Sequence, residues 1–240
     1  MTAGERPETA DNSRVSPDRL RGGGGTPRWE LKPHTFDTDR MYACVKARAE
    51  EAGLAQTLAA LPLMMEKHRG QLRAARTLET PYAAHPLTLA CHALAMGIAD
   101  DDVVAAALLH DVVEDTGTSP EELPVGSRVR EAVCLLSYNT YLESGGESDR
   151  ERKKAIKPAY YAGIRKNPLA ALVKCMDRCN NLACMADGFS EEKMASYVVE
   201  TEKYVLPLLD VIGDVPEYRE AAWLLRYQTV TLLETFKRLL

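Results

Sequence analysis

The chain lacks any excess of basic charge. Lys and Arg number 30 against 35 Asp and Glu, for a net charge of −5 and a pI near 5.6 over 240 residues. A general nucleic-acid binder needs a basic face to displace counterions, so that class is disfavoured and no nucleic-acid partner is expected. A small anionic ligand is still allowed, because one pocket can be basic on an acidic protein. Long apolar runs are missing too. The longest, Val103 to Leu109, is far short of a membrane span, and no membrane partner is expected. The first thirty residues show no hydrophobic stretch of the kind a signal peptide needs. There is no C-x-x-C pair among the six cysteines, which sit mostly inside apolar helical patterns. A reduced, cytoplasmic chain is expected. No internal repeat is visible.

Residues 1–30 contain only six apolar side chains and the run Gly22 to Gly25. Such a segment buries too little surface to offset its ordering entropy, so residues 1–37 are expected to be a disordered tail. From residue 38 to 240 the signals are helical. Asp37 or Thr38 can cap a helix that Gly53 ends. Pro62 should kink or split the next one. His85-Pro86 opens another, with proline in its first turn. Asp100, Asp101 and Asp102 sit where free N–H groups and the positive end of the helix dipole favour acids. That helix is expected to run from Val103 to about Asp115. Ser148, Asn167 and Ser190 mark further helix starts, and Val215-Pro216 leads a last one. Few stretches alternate with period two, so the expected fold class is all-α.

The segment Leu108-Leu109-His110-Asp111-Val112-Val113-Glu114-Asp115-Thr116 carries the most chemistry. On a helix His110 and Glu114 share a face, as do Asp111 and Asp115. Four polar groups thus end a helix that is otherwise wholly apolar, and burying them unpartnered would be costly. A divalent cation resolves that cost, with His110 and Asp111 as ligands and Glu114 and Asp115 left to act on water. Further ligands must come from elsewhere. His85 at a helix start is one candidate. Asp177, an acid inside the apolar pattern Leu172 to Arg178, is another, with Asn181 one turn on. Two His and two carboxylates make a mixed site suited to Mn²⁺, Fe²⁺ or Zn²⁺. Such a metal lowers the pKa of bound water toward ~7. The bland alternatives are a solvated C-terminal turn for residues 110–115 and an exposed acid at Asp177. Acids at a helix C-terminus oppose its dipole, which weighs against the first. His34, His68 and His92 have ordinary surface or core explanations, and Cys175 with Cys179 reads as core packing.

Several segments together resemble the HD domain of the RelA/SpoT-type alarmone hydrolases, including their small stand-alone forms. His110-Asp111-Val112-Val113-Glu114-Asp115-Thr116 is similar to that family's HD signature. Lys67 to Arg73 followed by Thr80-Pro81-Tyr82-Ala83-Ala84-His85-Pro86 resembles its H-x-x-Q-x-R…P-Y-x-x-H-P segment. Leu172 to Leu182 is similar to V-K-L-A-D-R-L-H-N-M, and Phe189 to Tyr197 resembles a helix that supplies a base and a tyrosine to substrate. The matches span roughly residues 60–210. The resemblance implies a helical bundle with a metal site between helices. His85, His110, Asp111 and Asp177 would hold a divalent metal, usually Mn²⁺. Glu114 and Asp115 would orient and deprotonate the attacking water. Arg73, Asn181, Lys193 and Tyr197 would bind substrate. The implied reaction removes the 3′-pyrophosphate of (p)ppGpp, giving GDP or GTP and pyrophosphate. The basic run Arg150, Arg152, Lys153, Lys154, Lys157 could clamp that anion or be a solvated face. Ala74, Asn180 and Ala183 depart from the common pattern, and the loop Tyr138 to Arg150 matches poorly. The same site could act on another nucleotide or NADPH, or serve a non-catalytic nucleotide sensor. About thirty residues follow position 210, too few for the synthetase domain of the long members.

Overall fold

A computed structural model describes residues 37–73, 80–141 and 149–240, without the side chains of 149–154. The expected tail lies, up to residue 36, outside them. Eleven α-helices are described: α1 (Thr38–Ala52), α2 (Ala55–Lys67), α3 (Ala84–Ala95), α4 (Asp101–Leu109), α5 (Val112–Thr116), α6 (Ser127–Leu136), α7 (Asp149–Ile164), α8 (Pro168–Gly188), α9 (Glu191–Glu200), α10 (Leu206–Gly213) and α11 (Arg219–Leu239). Among the described residues there is no strand, and a lone bridge pairs Leu72 with Pro81. The all-α class follows. No described helix is long and apolar enough to cross a membrane.

Two helices organise the domain. Every residue of α4 from Val103 to Leu109 is completely buried. The helix packs on α2, α3, α6 and α8. Each fully buried Val or Leu contributes about 1.5–3 kcal/mol of burial free energy before entropy is counted. The other centre is α8, whose Leu169 to Val173, Cys175, Met176 and Cys179 face α3, α4, α6, α10 and α11. Charged positions on these two helices therefore sit at the seam of the bundle. All six cysteines are free, with Cys175 and Cys179 buried in this core.

The caps explain where helices begin. Asp37 caps α1 by accepting from the Arg40 N–H, and Gly53 closes it with φ +68, a value glycine tolerates. The Asp100 side chain accepts from the N–H groups of Asp102 and Val103 to start α4. Helix α2 has no cap of its own, since Leu54 occupies that position. Asp101 of α4 supplies one from outside. Its carboxylate accepts from the Gln56 N–H at 2.9 Å, the Thr57 N–H at 2.8 Å and the Thr57 hydroxyl at 2.8 Å. One acid thus starts a neighbouring helix and pins it to the core.

Three expectations are corrected. Helix α2 runs unbroken through the exposed Pro62. The helix expected from Val103 to Asp115 instead breaks at His110-Asp111, so α4 and α5 are separate. Asp111 there takes φ −100, ψ −8, which turns the chain while Asp115 N–H still reaches Asp111 O. The helix expected to start at Ser190 does not continue as one regular helix, because a π-turn at Thr201–Val205 interrupts it. The Tyr197 carbonyl next to that turn accepts from the Thr201 hydroxyl and from Arg178 Nη1. The proposed cap Ser148 lies outside the described residues.

Removing the shared cap should be costly. Asp101→Ala strips partners from two N–H groups and a buried hydroxyl, for a loss of about 1–3 kcal/mol. A thermal melt should fall by several degrees; an unchanged melting temperature would show that Asp101 does not hold α2.

Candidate active site

His85 enters on the first turn of α3, His110 ends α4, Asp111 follows in the break, and Asp177 projects from the middle of α8. His85, His110 and Asp177 are buried, and Asp111 is partly so. Their donor atoms converge. His85 Nε2 lies 3.2 Å from Asp177 Oδ1 and 3.7 Å from Asp111 Oδ2. His110 Nε2 lies 2.9 Å from Asp111 Oδ2. One ligand atom each of His85, His110 and Asp177 falls within 4.8 Å of the others.

The outer hydrogen bonds decide which ring nitrogen faces the centre. His110 Nδ1–H donates to the Ala107 carbonyl at 2.9 Å, which leaves Nε2 with a lone pair. That atom is buried and has no hydrogen bond, even with Asp111 Oδ2 so near. His85 Nδ1–H donates to Asn180 Oδ1 at 2.8 Å, so its Nε2 also turns a lone pair inward. Two imidazole lone pairs and two carboxylates facing one another form an electron-rich cluster that a cation completes. Ligand atoms on one octahedral cation stand about 3 Å apart, from metal–ligand distances near 2.1 Å, and the separations here are of that order. His85, His110 and Asp177 fit a divalent metal, and Asp111 Oδ2 stands beside both imidazole Nε2 atoms.

The carboxylates are held as firmly. Asp111 Oδ2 accepts from the Tyr82 hydroxyl at 2.6 Å. Asp177 Oδ2 accepts from Lys174 Nζ at 2.9 Å, and its other oxygen accepts from the Asn181 amide. Burial opposes the Lys174 charge, and the Asp177 carboxylate overrides it, so the ammonium stays charged. Burial raises the Tyr82 phenol, and Asp111 raises it further, so it remains a donor. Burial likewise opposes a charged His110, but the Asp111 carboxylate pushes the imidazole up to about 9.

Above these groups lies a cleft of about 210 Å³. Arg73, Tyr82, Glu114, Asp115, Tyr138, Lys174 and Asn181 share its lining with the ligand set. Glu114 is held by the Tyr138 N–H at 2.9 Å. Burial raises the Asp115 carboxyl above the ordinary carboxylate range, and the Asp111 charge raises it further, which makes it a better proton acceptor than a free carboxylate. Arg73 donates to Asn180 Oδ1 at 3.2 Å and Asn181 Oδ1 at 2.8 Å. The ring of Tyr138 stacks on Tyr160 with centroids 4.0 Å apart and forms an aromatic wall.

Eight of the ten expected site residues therefore line one cleft. Lys193 and Tyr197 do not. Lys193 is exposed, with its ammonium 3.6 Å over the Phe189 ring. Tyr197 carries the Arg178 guanidinium on its face at 3.7 Å. Lys157, read from sequence as either part of a phosphate clamp or part of a solvated face, pairs with Glu200. The side chains of Arg150, Arg152, Lys153 and Lys154 lie outside the described residues. Sequence reasoning missed Tyr82, Lys174, Asn180 and Tyr138. Lys174 had a signal: a lysine three residues before an acid in an apolar helix needs a partner. Tyr138 had none, since its backbone makes the contact. His68, read as ordinary, is buried with its ring 4.7 Å from Tyr82.

No family model matches the chain. Among curated proteins, human guanosine-3′,5′-bis(diphosphate) 3′-pyrophosphohydrolase MESH1 is 35% identical over 153 residues, covering 60% of this chain and 79% of that one. The chain belongs to the RelA/SpoT-type HD hydrolases. A guanosine-3′,5′-bis(diphosphate) 3′-pyrophosphohydrolase from Aquifex aeolicus (strain VF5) is 31% identical over 179 residues, covering 74% of this chain. The chain spans about a quarter, 24%, of that relative's length. A solved family structure, of a metazoan ortholog of SpoT described as hydrolysing ppGpp, matches with a TM-score of 0.58 at 27% identity. That match covers 75% of this chain and 95% of the other.

A cation bound only by the folded chain must stabilise it, by about 2.7 kcal/mol at a hundredfold excess over its dissociation constant. Chelated protein should melt several degrees below protein given a divalent cation. His110→Ala and Asp177→Ala should lose that increment. An increment that survives in both variants would place the cation elsewhere.

Proposed function

We propose that the chain is a metal-dependent (p)ppGpp 3′-pyrophosphohydrolase that uses Mn²⁺ and gives GDP or GTP and pyrophosphate. One observation carries this reading: two inward imidazole lone pairs, the buried Asp177 carboxylate and the half-buried Asp111 carboxylate meet beneath a cleft walled by Glu114 and Asp115. The relatives named above supply the substrate. Mixed nitrogen and carboxylate donors suit Mn²⁺ among the borderline metals. All six cysteines are free, in keeping with a reducing, cytoplasmic compartment.

His85, His110, Asp111 and Asp177 would hold the cation. When bound, it acts as a Lewis acid that polarises a phosphoryl oxygen and acidifies water. The chain's own groups do the rest. Asp115, raised by burial and by Asp111, takes a proton from the attacking water. Glu114, fixed by the Tyr138 N–H, orients that water. The water oxygen bonds the phosphorus attached to O3′, the P–O3′ bond breaks, and O3′ leaves as the 3′-hydroxyl of GDP or GTP with the proton that Asp115 took from water, which restores the carboxylate. The other product is pyrophosphate. Arg73, held flat by Asn180 and Asn181, meets the nucleotide, and its planar fork suits base stacking and phosphate alike. Asn181 would hydrogen-bond the nucleotide from beside Arg73. Lys174 adds buried positive charge beneath the transferred group. Lys193 and Tyr197 stand outside the cleft lining and take no part in these steps.

Metal-free protein supplied with Mn²⁺ should release pyrophosphate and GDP from guanosine tetraphosphate. Absence of release with one equivalent of Mn²⁺ bound would remove the alarmone and leave the hydrolase site. Glu114→Ala combined with Asp115→Ala should lower turnover at least a thousandfold while metal content stays near wild type. Loss of metal in that variant would show that these acids are ligands.

A further inference from the structure

Asn180 lies between the two halves of the site. Its carboxamide oxygen accepts from His85 Nδ1–H at 2.8 Å and from Arg73 Nη1 at 3.2 Å. Both partners are donors, so only the oxygen can face them, and the amide has one allowed orientation. The adjoining Asn181 shares Arg73 and reaches a second metal ligand. Its oxygen accepts from Arg73 Nη2 at 2.8 Å and its amide donates to Asp177. One guanidinium on the substrate side is therefore joined to two metal ligands, His85 and Asp177, through two consecutive carboxamides.

We propose that Asn180 is a positioning residue that serves the metal and the substrate at once. Toward the metal it holds His85 in the tautomer and ring orientation whose Nε2 points inward. Outer partners of this kind are worth 10- to 100-fold in metal affinity. Toward the substrate it holds Arg73 over the cleft with the guanidinium plane fixed, which lowers the entropy lost when the nucleotide arrives. Its neighbours show no other partner for His85 Nδ1 or for Arg73 Nη1 among the described residues. The substrate half rests on the nucleotide reading above, whereas the metal half needs no nucleotide.

The test uses Asn180→Leu, which keeps the volume and removes the acceptor, and Asn180→Asp, which keeps an oxygen in the same place. Calorimetric titration of Mn²⁺ into metal-free full-length protein, with no nucleotide present, reads the metal half. Asn180→Leu should bind Mn²⁺ at least tenfold more weakly, and Asn180→Asp should bind within about threefold of wild type. Steady-state hydrolysis of guanosine tetraphosphate at saturating Mn²⁺ reads the substrate half. There Asn180→Leu should raise KM severalfold more than it lowers kcat, because Arg73 binds rather than reacts. A thermal melt of each metal-free variant within a few degrees of wild type shows that the helix is intact; if the leucine variant melts lower, the Asn180→Asp rescue decides. Wild-type Mn²⁺ affinity in a folded Asn180→Leu protein overturns the proposal. So does a weakened metal with KM unchanged at saturating Mn²⁺, since a joint role requires both. Should guanosine tetraphosphate not be a substrate at all, the calorimetry still decides the metal half, and the nucleotide reading falls by itself.

Discussion

The site depends on one constraint: electron-rich donors are forced together where water is scarce. Helix α4 is buried along its whole apolar length, and His110 at its end can escape neither outward nor backward. Its Nδ1–H goes to the Ala107 carbonyl of the same helix, so Nε2 has to meet Asp111 and the opposing α8. A buried carboxylate left alone costs several kcal/mol. The fold meets that cost with donors on the outer side of each acid and leaves the inner side for a cation.

The outer donors come from different elements, and this explains why so many helices converge on so small a volume. Tyr82, just ahead of α3, holds Asp111, while Lys174 and Asn181 hold Asp177 from within α8. The α8 helix also carries Arg178, whose guanidinium reaches Glu200, Tyr161 and Thr201 and ties α8 to α7, α9 and the π-turn. Arg178 next to Asp177 thus anchors the helix while its neighbour faces the centre. The α2 helix, started by Asp101, supports the floor beneath α4. Packing and chemistry share the same two helices.

Much of this was legible in the sequence, for reasons that differ by residue. His110 and Asp111 stood out because charge followed an apolar run, and Asp177 because an acid interrupted one. The helix starts at Asp37 and Asp100 were legible because a cap is a local interaction between neighbours in the chain. Other features depend on residues far apart. The break at His110-Asp111 leaves no mark in the periodicity, because Val112 and Val113 continue the apolar pattern. The Asp101 cap on α2 joins residues 44 and 45 apart, and the Lys157–Glu200 pair joins residues 43 apart. Asn180 looked like a departure from a pattern. Its meaning came only from the positions of His85 and Arg73, which share its oxygen. Lys193 and Tyr197 were assigned through resemblance alone, and the packing of α9 places them outside the cleft lining.

The central claim is that four donors from three places in the chain hold one divalent cation. Crystals grown with Mn²⁺ and measured at the manganese absorption edge test it directly. The account predicts a single strong anomalous peak bounded by His85 Nε2, His110 Nε2, Asp111 and Asp177, with Lys174 still on the outer oxygen of Asp177. A peak bounded by Glu114 and Asp115 instead, or no peak at this cluster at full Mn²⁺ loading, would contradict it.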